Sequence, residues 1–479
     1  MIVRGRTDDR STPGVASLLG LTAYWLGLSI LWGSLTTIVL PSLVGGLVPA
    51  EVKASALALV TALQALVAMV VQPLAGAASD RLPTRFGRRR PWLVGGVTAQ
   101  ALCVVGLALA GGYWTIVAIM LLVELTSNVA QGPYQALLPD TVPSSRRGLA
   151  SGFLGGAQLA GQVTGVAAAG AAVGAGAIHL AILFAAGSVW LGMAVTVASV
   201  REPVGVAGAG PEAHGLASAG AWLSYLTSPR RWLGPVRTVA LEVWGPDVLE
   251  QRDYLWVLAS RLAILMATGC LQPFILYYLQ DSIGLGAEAG LAVTPIAAVV
   301  AIVALIAAVP GGALASRWGR ARMVALSGLV GAVAAIAFAA AQGYAQLLVV
   351  AAPFGVALGV FLSANWALLV EVVPADEAGR YLGLSNIVTA GAGLLAIVTA
   401  GPLADLVNRV EPGLGYRAIF LLAAVEFLVG AWCALRVREP PRPEAARAGT
   451  ARGAVDASVT ARADAGDASA SGAPKGTGE

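Results

Sequence analysis

Leu137-Leu138-Pro139-Asp140-Thr141-Val142-Pro143 returns 231 residues later as Leu368-Leu369-Val370-Glu371-Val372-Val373-Pro374. In each copy two leucines lead through an acidic residue to a proline. A pair of glycines then follows at matching places, Gly148 and Gly152 in the first copy, Gly379 and Gly383 in the second. Upstream, Gly87-Arg88 is matched by Gly319-Arg320 at an offset of 232. Repetition at this spacing divides the chain into two related halves.

What the halves are made of follows from composition. Of 479 residues, 57% are hydrophobic and only 12% charged, about half the charged share of an ordinary soluble protein, roughly 25%. A soluble fold cannot bury that much apolar surface, so the excess must face lipid. The charges collect in short loops and both tails. Between them lie uncharged runs near 17–41, 55–77, 91–111, 114–136, 149–172, 178–199, 254–280, 288–314, 322–342, 345–370, 381–404 and 416–437. Each is long enough to cross a bilayer as a helix. The 10-residue alternation of a transmembrane barrel is absent from the pattern. The predicted fold is therefore an all-α membrane protein of twelve transmembrane helices in two six-helix repeats of the same orientation. The expected divisions are an N-terminal bundle over 1–200, a central loop over 201–253, a C-terminal bundle over 254–438 and a disordered polar tail over 439–479.

The arginines set the orientation. Arg81, Arg85, Arg88, Arg89 and Arg90 follow the second run, Arg146 and Arg147 the fourth, and Arg317, Arg320 and Arg322 the eighth. Arg230, Arg231, Arg237 and Arg252 lie in the central loop. All fall on one side, while the opposite loops hold little beyond Lys53, Arg409 and Arg417. The positive-inside rule then places both termini and the central loop in the cytoplasm, in a cell membrane. Cys103, Cys270 and Cys433 sit in apolar runs and read as small hydrophobes rather than as disulfide or metal ligands. A net charge of +4 spread over loops is not a nucleic-acid footprint. No nucleotide-cradling Gly-Lys-Ser/Thr loop is present, and the two histidines form no catalytic constellation, so no enzyme and no cofactor is expected.

The loop after the second run reads Gly76-Ala-Ala-Ser-Asp80-Arg81-Leu-Pro-Thr-Arg85-Phe86-Gly87-Arg88-Arg89-Arg90-Pro91. A helix-end Asp, a Gly turn and a basic cluster can hold two helix ends together through charge and helix dipoles; the same arginines also serve topology. This Gly-x-x-x-Asp-Arg…Gly-Arg-Arg loop resembles the signature of the major facilitator superfamily. Its weaker copy over Gly312 to Arg322 keeps Gly319 and Arg320 but has Ser316 in place of the Asp. The wide spacing from Asp80 to Gly87 and the Arg-Phe-Gly-Arg-Arg-Arg-Pro that ends it resemble the sucrose–proton symporter-like branch of the glycoside–pentoside–hexuronide:cation symporters. So does Glu124-Leu-Thr-Ser-Asn128-Val-Ala-Gln131-Gly132-Pro133-Tyr-Gln135-Ala136-Leu137-Leu138 in the fourth run.

That fourth run can also be read without the family. Glu124, Ser127, Asn128, Gln131 and Gln135 fall on one helical face, a polar stripe on an apolar helix. Glu124 lies midway along it. A carboxylate at that depth costs several kcal/mol unless it is protonated, paired or hydrated, and a functional role is its default reading. The competing reading is a structural carboxylate hydrogen-bonded between helices. The resemblance implies a proton acceptor here, with Glu where the family has Asp.

Other candidates are weaker. Ser151, Gly155, Gln158, Gln162 and Gly165 line one face of the fifth run and fit either a cavity wall or close helix packing. Trp25, Ser29, Trp32 and Thr36 share a face of the first run, which suits stacking on a sugar ring; for Trp25 an interfacial aromatic belt fits as well. Arg261, with Thr268 and Gln272 on its face, is placed to pair with a carboxylate, to bind solute or to snorkel toward the cytoplasmic end. Asn365 and Trp366 are candidate cavity residues, and Glu426 ranks behind Glu124 as a second buried acid.

The expected activity is proton-coupled symport of a sugar or glycoside of disaccharide size, with no metal. A proton fits better than sodium because the second run offers Gln64 but no acidic partner for a sodium cage. Proton-antiport efflux of a small hydrophobic compound, or a non-transporting membrane assembly or sensor protein, would fit the same pattern. The expected partners are the solute, a proton and the bilayer, and the chain is expected to act as a monomer.

Overall fold

The computed structural model describes residues 15–81, 89–142, 147–200, 250–373 and 378–439. Gly87, Arg88, most of the central loop and the tail from 440 onward lie outside them, as do the side chains of Asp80 and Arg81.

Twelve long helices make up the described residues. They are α1 (Val15–Ser34, prolonged by Leu35–Val39 and Leu40–Leu47), α2 (Lys53–Arg81), α3 (Arg90–Gly106) and α4 (Tyr113–Thr141). Next come α5 (Arg147–Gly174), α6 (Ile178–Ser199), α7 (Arg252–Gly269, prolonged to Ser282) and α8 (Ala289–Trp318). The set ends with α9 (Arg320–Ala340), α10 (Tyr344–Val372), α11 (Ala378–Asn408) and α12 (Leu414–Leu435). Eleven are long and apolar enough to cross a membrane. The remaining helix, α5, is rich in glycine and carries Gln158 and Gln162. Leu305, Ile306 and Val309 of α8 are more than half exposed, as side chains facing lipid would be.

Packing repeats between the halves. In the first, α1 lies against α5 and α6, α4 against α2 and α3, and α3 against α6. In the second, α7 lies against α11 and α12, α10 against α8 and α9, and α9 against α12. The halves meet along two seams, α2 with α11 and α5 with α8. Small residues make these approaches possible. A Cβ on Gly165 would stand 2.1 Å from the Ile30 carbonyl oxygen of α1, and one on Gly170 would stand 2.2 Å from that of Gly290 in α8. In lipid, where burial alone does not pull helices together, such backbone approach supplies the packing.

The repeat extends to the helix breaks, which the sequence reading did not foresee. Pro41 follows a π turn at Leu35–Val39 in α1. Pro273, 232 residues later, sits where α7 gives way to a 3-10 turn at Gln272–Phe274 and then a π turn at Tyr278–Ser282. Proline has no N–H for the helical ladder and clashes with the preceding turn, so each break has a local cause. The runs predicted over 17–41 and 254–280 are thus interrupted helices.

Gly319 also has a local cause. It joins α8 to α9 with no further loop residue, at φ 106°, a backbone region that favours glycine. Arg320 follows at once. Its Nη1 reaches the Ala367 carbonyl of α10 at 3.0 Å and Glu371 Oε2 at 2.8 Å. In the first half Arg89 Nη1 likewise donates to the Pro133 carbonyl of α4 at 3.3 Å.

Candidate functional site

Glu124 sits on the face of α4 that meets α2. Its Oε1 accepts a hydrogen bond from Asn128 Nδ2 at 2.7 Å, one turn on, and its Oε2 accepts one from Gln64 Nε2 of α2 at 3.4 Å. Asn128 Nδ2 also donates to the Glu124 carbonyl at 2.9 Å. Two turns further along, Gln72 Nε2 of α2 donates to Gln131 Oε1 at 3.1 Å. The periodic stripe of α4 is therefore answered by amides on α2. Among the described residues no lysine or arginine pairs with Glu124. Neutral amides hold the carboxyl without fixing its charge, and either protonation state can be accommodated. Ser127 on the same face is buried with its Oγ unpartnered.

A second polar cluster occupies α7, α10 and α11. Arg261 Nε donates to Thr389 Oγ1 at 3.0 Å, and its Nη1 donates to Asn365 Oδ1 at 2.5 Å. Thr389 in turn donates to the Ser385 carbonyl at 2.9 Å. The guanidinium therefore turns into its own half rather than snorkelling to the membrane edge. Asn365 and Ser385 are buried, and Asn365 Nδ2 and Ser385 Oγ have no partner. Trp366, next along α10, is half exposed on another face.

The α1 and α5 candidates are placed differently. The Ser29 and Thr36 hydroxyls donate to the carbonyls of Trp25 and Trp32 in their own helix, at 2.7 and 2.6 Å. Trp32 is half-buried. Trp25 stacks on Tyr134 of α4, ring centroids 5.8 Å apart and nearly parallel. In α5, Gly165 packs against α1, and Ser34 Oγ donates to its carbonyl at 2.9 Å. The backbone of Gln162 backs onto Gly33, and Gln158 is exposed. Glu426 of α12 is buried with Oε2 unpartnered. Among the described residues no group of three or more His, Cys, Asp or Glu could hold a metal ion.

Sequence reasoning missed a third constellation, where the two halves bind each other. Asp405 of α11 accepts hydrogen bonds from the backbone N–H groups of Ala54, at 3.1 Å, and Ser55, at 2.6 Å, which open α2. Lys53 Nζ pairs with Asp281 Oδ2 of the prolonged α7 at 2.5 Å and lies 4.7 Å from the Tyr277 ring centroid. The Tyr277 hydroxyl donates to the Pro41 carbonyl at 2.7 Å, and Gln272 Nε2 donates to Thr37 Oγ1 at 3.3 Å. The two proline-broken segments thus touch each other across the repeat, at the end of the bundle that carries the α1–α2 and α11–α12 turns. The available signals were Asp405 at the edge of an apolar run and the shared offset of Pro41 and Pro273.

Comparisons with known proteins agree with this architecture. In structure the chain is similar to the nucleoside transporter NupG, with a TM-score of 0.63, 14% identity, and coverage of 88% of this chain and 98% of that one. It is similar to a bacterial homologue of the human lysosomal transporter Spinster in an inward-facing and occupied conformation, with a TM-score of 0.65, 14% identity, and coverage of 89% and 98%. A mutant of the peptide transporter POT gives a TM-score of 0.63 at 15% identity, with coverage of 88% and 94%. In sequence, 117 residues are 32% identical to the sucrose transport protein SUC4 of Arabidopsis thaliana. That match takes in 21% of this chain and spans only 23% of that protein. The family model of the Major Facilitator Superfamily matches residues 17–249 and 257–465. The chain therefore belongs to the major facilitator superfamily, as a multi-pass membrane transporter rather than an enzyme.

Proposed function

We propose that this transporter carries a sugar or glycoside of disaccharide size together with a proton, by alternating access in a cell membrane. The observation that carries the reading is Glu124. It is a carboxyl group midway along a transmembrane helix, held by Asn128 and Gln64 and paired with no cation among the described residues. The partial likeness to a sucrose transport protein supports the choice of solute, and the polar stripe offers amides suited to hydroxyl groups. In this reading Asn128, Gln131, Gln158 and Gln162 with Ser29 and Trp32 belong to the N-half wall of the solute path. Arg261 and Asn365 belong to the C-half wall. The halves are the bundles over 1–200 and 254–438, acting within a monomer.

Alternating access requires the halves to part at one end while they close at the other. The Lys53–Asp281 and Asp405 contacts close one end. With the termini and the 201–253 loop cytoplasmic, that closed end faces outward. The basic loop of Asp80, Arg81, Gly87 and Arg88, with Gly319 and Arg320 as its second-half counterpart, would secure the cytoplasmic end in the opposite state.

The test is proton movement in proteoliposomes of known orientation, with a panel of mono- and disaccharides. Inward proton flow that starts on adding a sugar supports symport. Proton flow opposed to the movement of a hydrophobic compound would replace the reading with efflux. Absence of any solute-dependent proton flow would end it.

A further inference from the structure

Trp256 of α7 and Trp432 of α12 meet edge to face, ring centroids 5.4 Å apart. Each has an arginine one helical turn nearer the end of the bundle. Arg252 opens α7 four residues before Trp256, and Arg436 follows α12 four residues after Trp432. The two helices run in opposite directions, so both arginines stand on the same side of the tryptophan pair. That end of the bundle is the one away from Lys53 and Asp281, since Asp281 lies at the far end of the prolonged α7. The Arg436 guanidinium carbon lies 4.6 Å from the Trp432 ring centroid. This cation–π contact orients the fork without neutralising its charge. Among the described residues neither arginine forms an ion pair, and neither indole N–H reaches an acceptor. All four side chains carry donors and no acceptor. Arg252 and Arg436 are exposed, and Trp432 is 49% exposed. The exposed face continues from Trp432 toward the middle of α12 as Val425 and Val429. An aromatic belt explains a tryptophan at this depth. It does not explain unanswered donors gathered from two helices at the head of an apolar groove.

We infer that this α7–α12 groove binds an anionic phospholipid, its phosphate held by Arg252 and Arg436 and its acyl chains lying along Val425 and Val429. A guanidinium fork matches two phosphate oxygens in parallel hydrogen bonds, and the arginine over Trp432 is already oriented for them. The apolar face below the donors favours a lipid over a free phosphate. In the orientation proposed above the site belongs to the cytoplasmic leaflet, whose anionic lipids attract basic side chains. It lies on the outer wall of the C-terminal half, so it is independent of which solute is carried.

The experiment is native mass spectrometry of the full chain, released from detergent micelles that hold equal amounts of phosphatidylglycerol and phosphatidylcholine with the same acyl chains. The two lipids share the phosphate and differ in net charge. Each arginine near an anionic headgroup gains about fivefold, which predicts retention of phosphatidylglycerol over phosphatidylcholine by about tenfold or more. Arg252→Gln with Arg436→Gln should bring that ratio close to one, and each single change should lower it severalfold should the double variant fail to insert. Trp432→Ala should lower it as well, by releasing Arg436, while Trp432→Phe keeps part of it. Arg409→Gln, an exposed arginine at the opposite end, should leave the ratio unchanged. Equal retention of the two lipids overturns the proposal. So does a phosphatidylglycerol preference undiminished by the arginine changes, which would assign it to other basic residues. Loss of the retained lipid on adding excess glycerol 3-phosphate would make the ligand a soluble phosphate and overturn the lipid site.

Discussion

Lys53 and Asp281 come from different halves of the repeat, and their charged atoms stand 2.5 Å apart at one end of the bundle. Lys53 opens α2, and Asp281 lies in the π turn that ends α7. The pair is one of several contacts that must break if that end is to open. A partly exposed ion pair is worth about 1 kcal/mol, enough to shift a two-state population about fivefold. In a background lacking Cys103, Cys270 and Cys433, a cysteine at Thr37, buried in the closed end, reports opening by its labelling rate. Lys53→Gln and Asp281→Asn should each raise that rate severalfold, and the exchanged pair Lys53→Asp with Asp281→Lys should restore it. Unchanged labelling in both single variants would mean the pair does not hold the end closed.

Asp405 does a related job through the backbone. It accepts from the first free N–H groups of α2 across the seam, which makes it an N-terminal cap supplied by another helix. Caps of this kind contribute about 1 kcal/mol, and here the contribution exists only while the halves are together. Asp405→Ala should therefore raise Thr37 labelling as Lys53→Gln does. Because both changes act on the start of α2, their effects should not multiply in the double variant, as expected of neighbours that share one opening event. Simple multiplication would assign the two contacts to independent motions.

The glycine seams make a prediction about folding. A Cβ on Gly165 would collide with the backbone of Ile30, whereas one on Gly187 of α6 would meet nothing within 4 Å. Gly165→Leu forces α1 and α5 apart at a cost of about 1–3 kcal/mol or more. Gly187→Ala should be neutral or slightly stabilising, since glycine in a helix interior costs about 0.5–1 kcal/mol relative to alanine. Melting temperatures in detergent should fall sharply for the first and hold for the second. A tolerated Gly165→Leu would refute the close α1–α5 approach.

Helix number and repeat were legible in the sequence because lipid imposes a coarse, one-dimensional rule on length and polarity, and the 231-residue echo exposed the halves. The face of α4 was legible too: one helix's periodicity suffices to align Glu124, Asn128 and Gln131. What the sequence hid was partnership between helices. Nothing in the spacing of their own segments singles out Gln72 opposite Gln131, Thr389 beneath Arg261 or Asp405 at Ala54, and only the packed bundle shows what each touches. The breaks in α1 and α7 were within reach, since Pro41 and Pro273 share the repeat's offset, but a hydropathy run reads straight through a single proline.

Glu124 yields the sharpest functional prediction. In the proposed symport its carboxyl accepts a proton from the outside and releases it inside, so its charge must differ between the two access states. When it is ionised and no solute is bound, moving it through a closed, dry intermediate is costly. Protonation removes that cost, and a solute hydroxyl can then satisfy the carboxyl beside Asn128 and Gln64. Proton and solute each stabilise the state the other needs, which is what coupling means energetically. A gradient of about two pH units supplies about 2.7 kcal/mol per proton, enough for accumulation of up to about a hundredfold. Glu124→Gln copies the protonated form permanently. It should still exchange labelled for unlabelled solute across proteoliposomes, while the accumulation ratio under an inward proton gradient falls to about one. Glu426→Gln is the comparison, another buried acid, on α12, whose replacement should leave accumulation in place. If Glu124→Gln still concentrates solute and Glu426→Gln does not, the coupling proton travels through α12 and the α2–α4 amide cluster is structural.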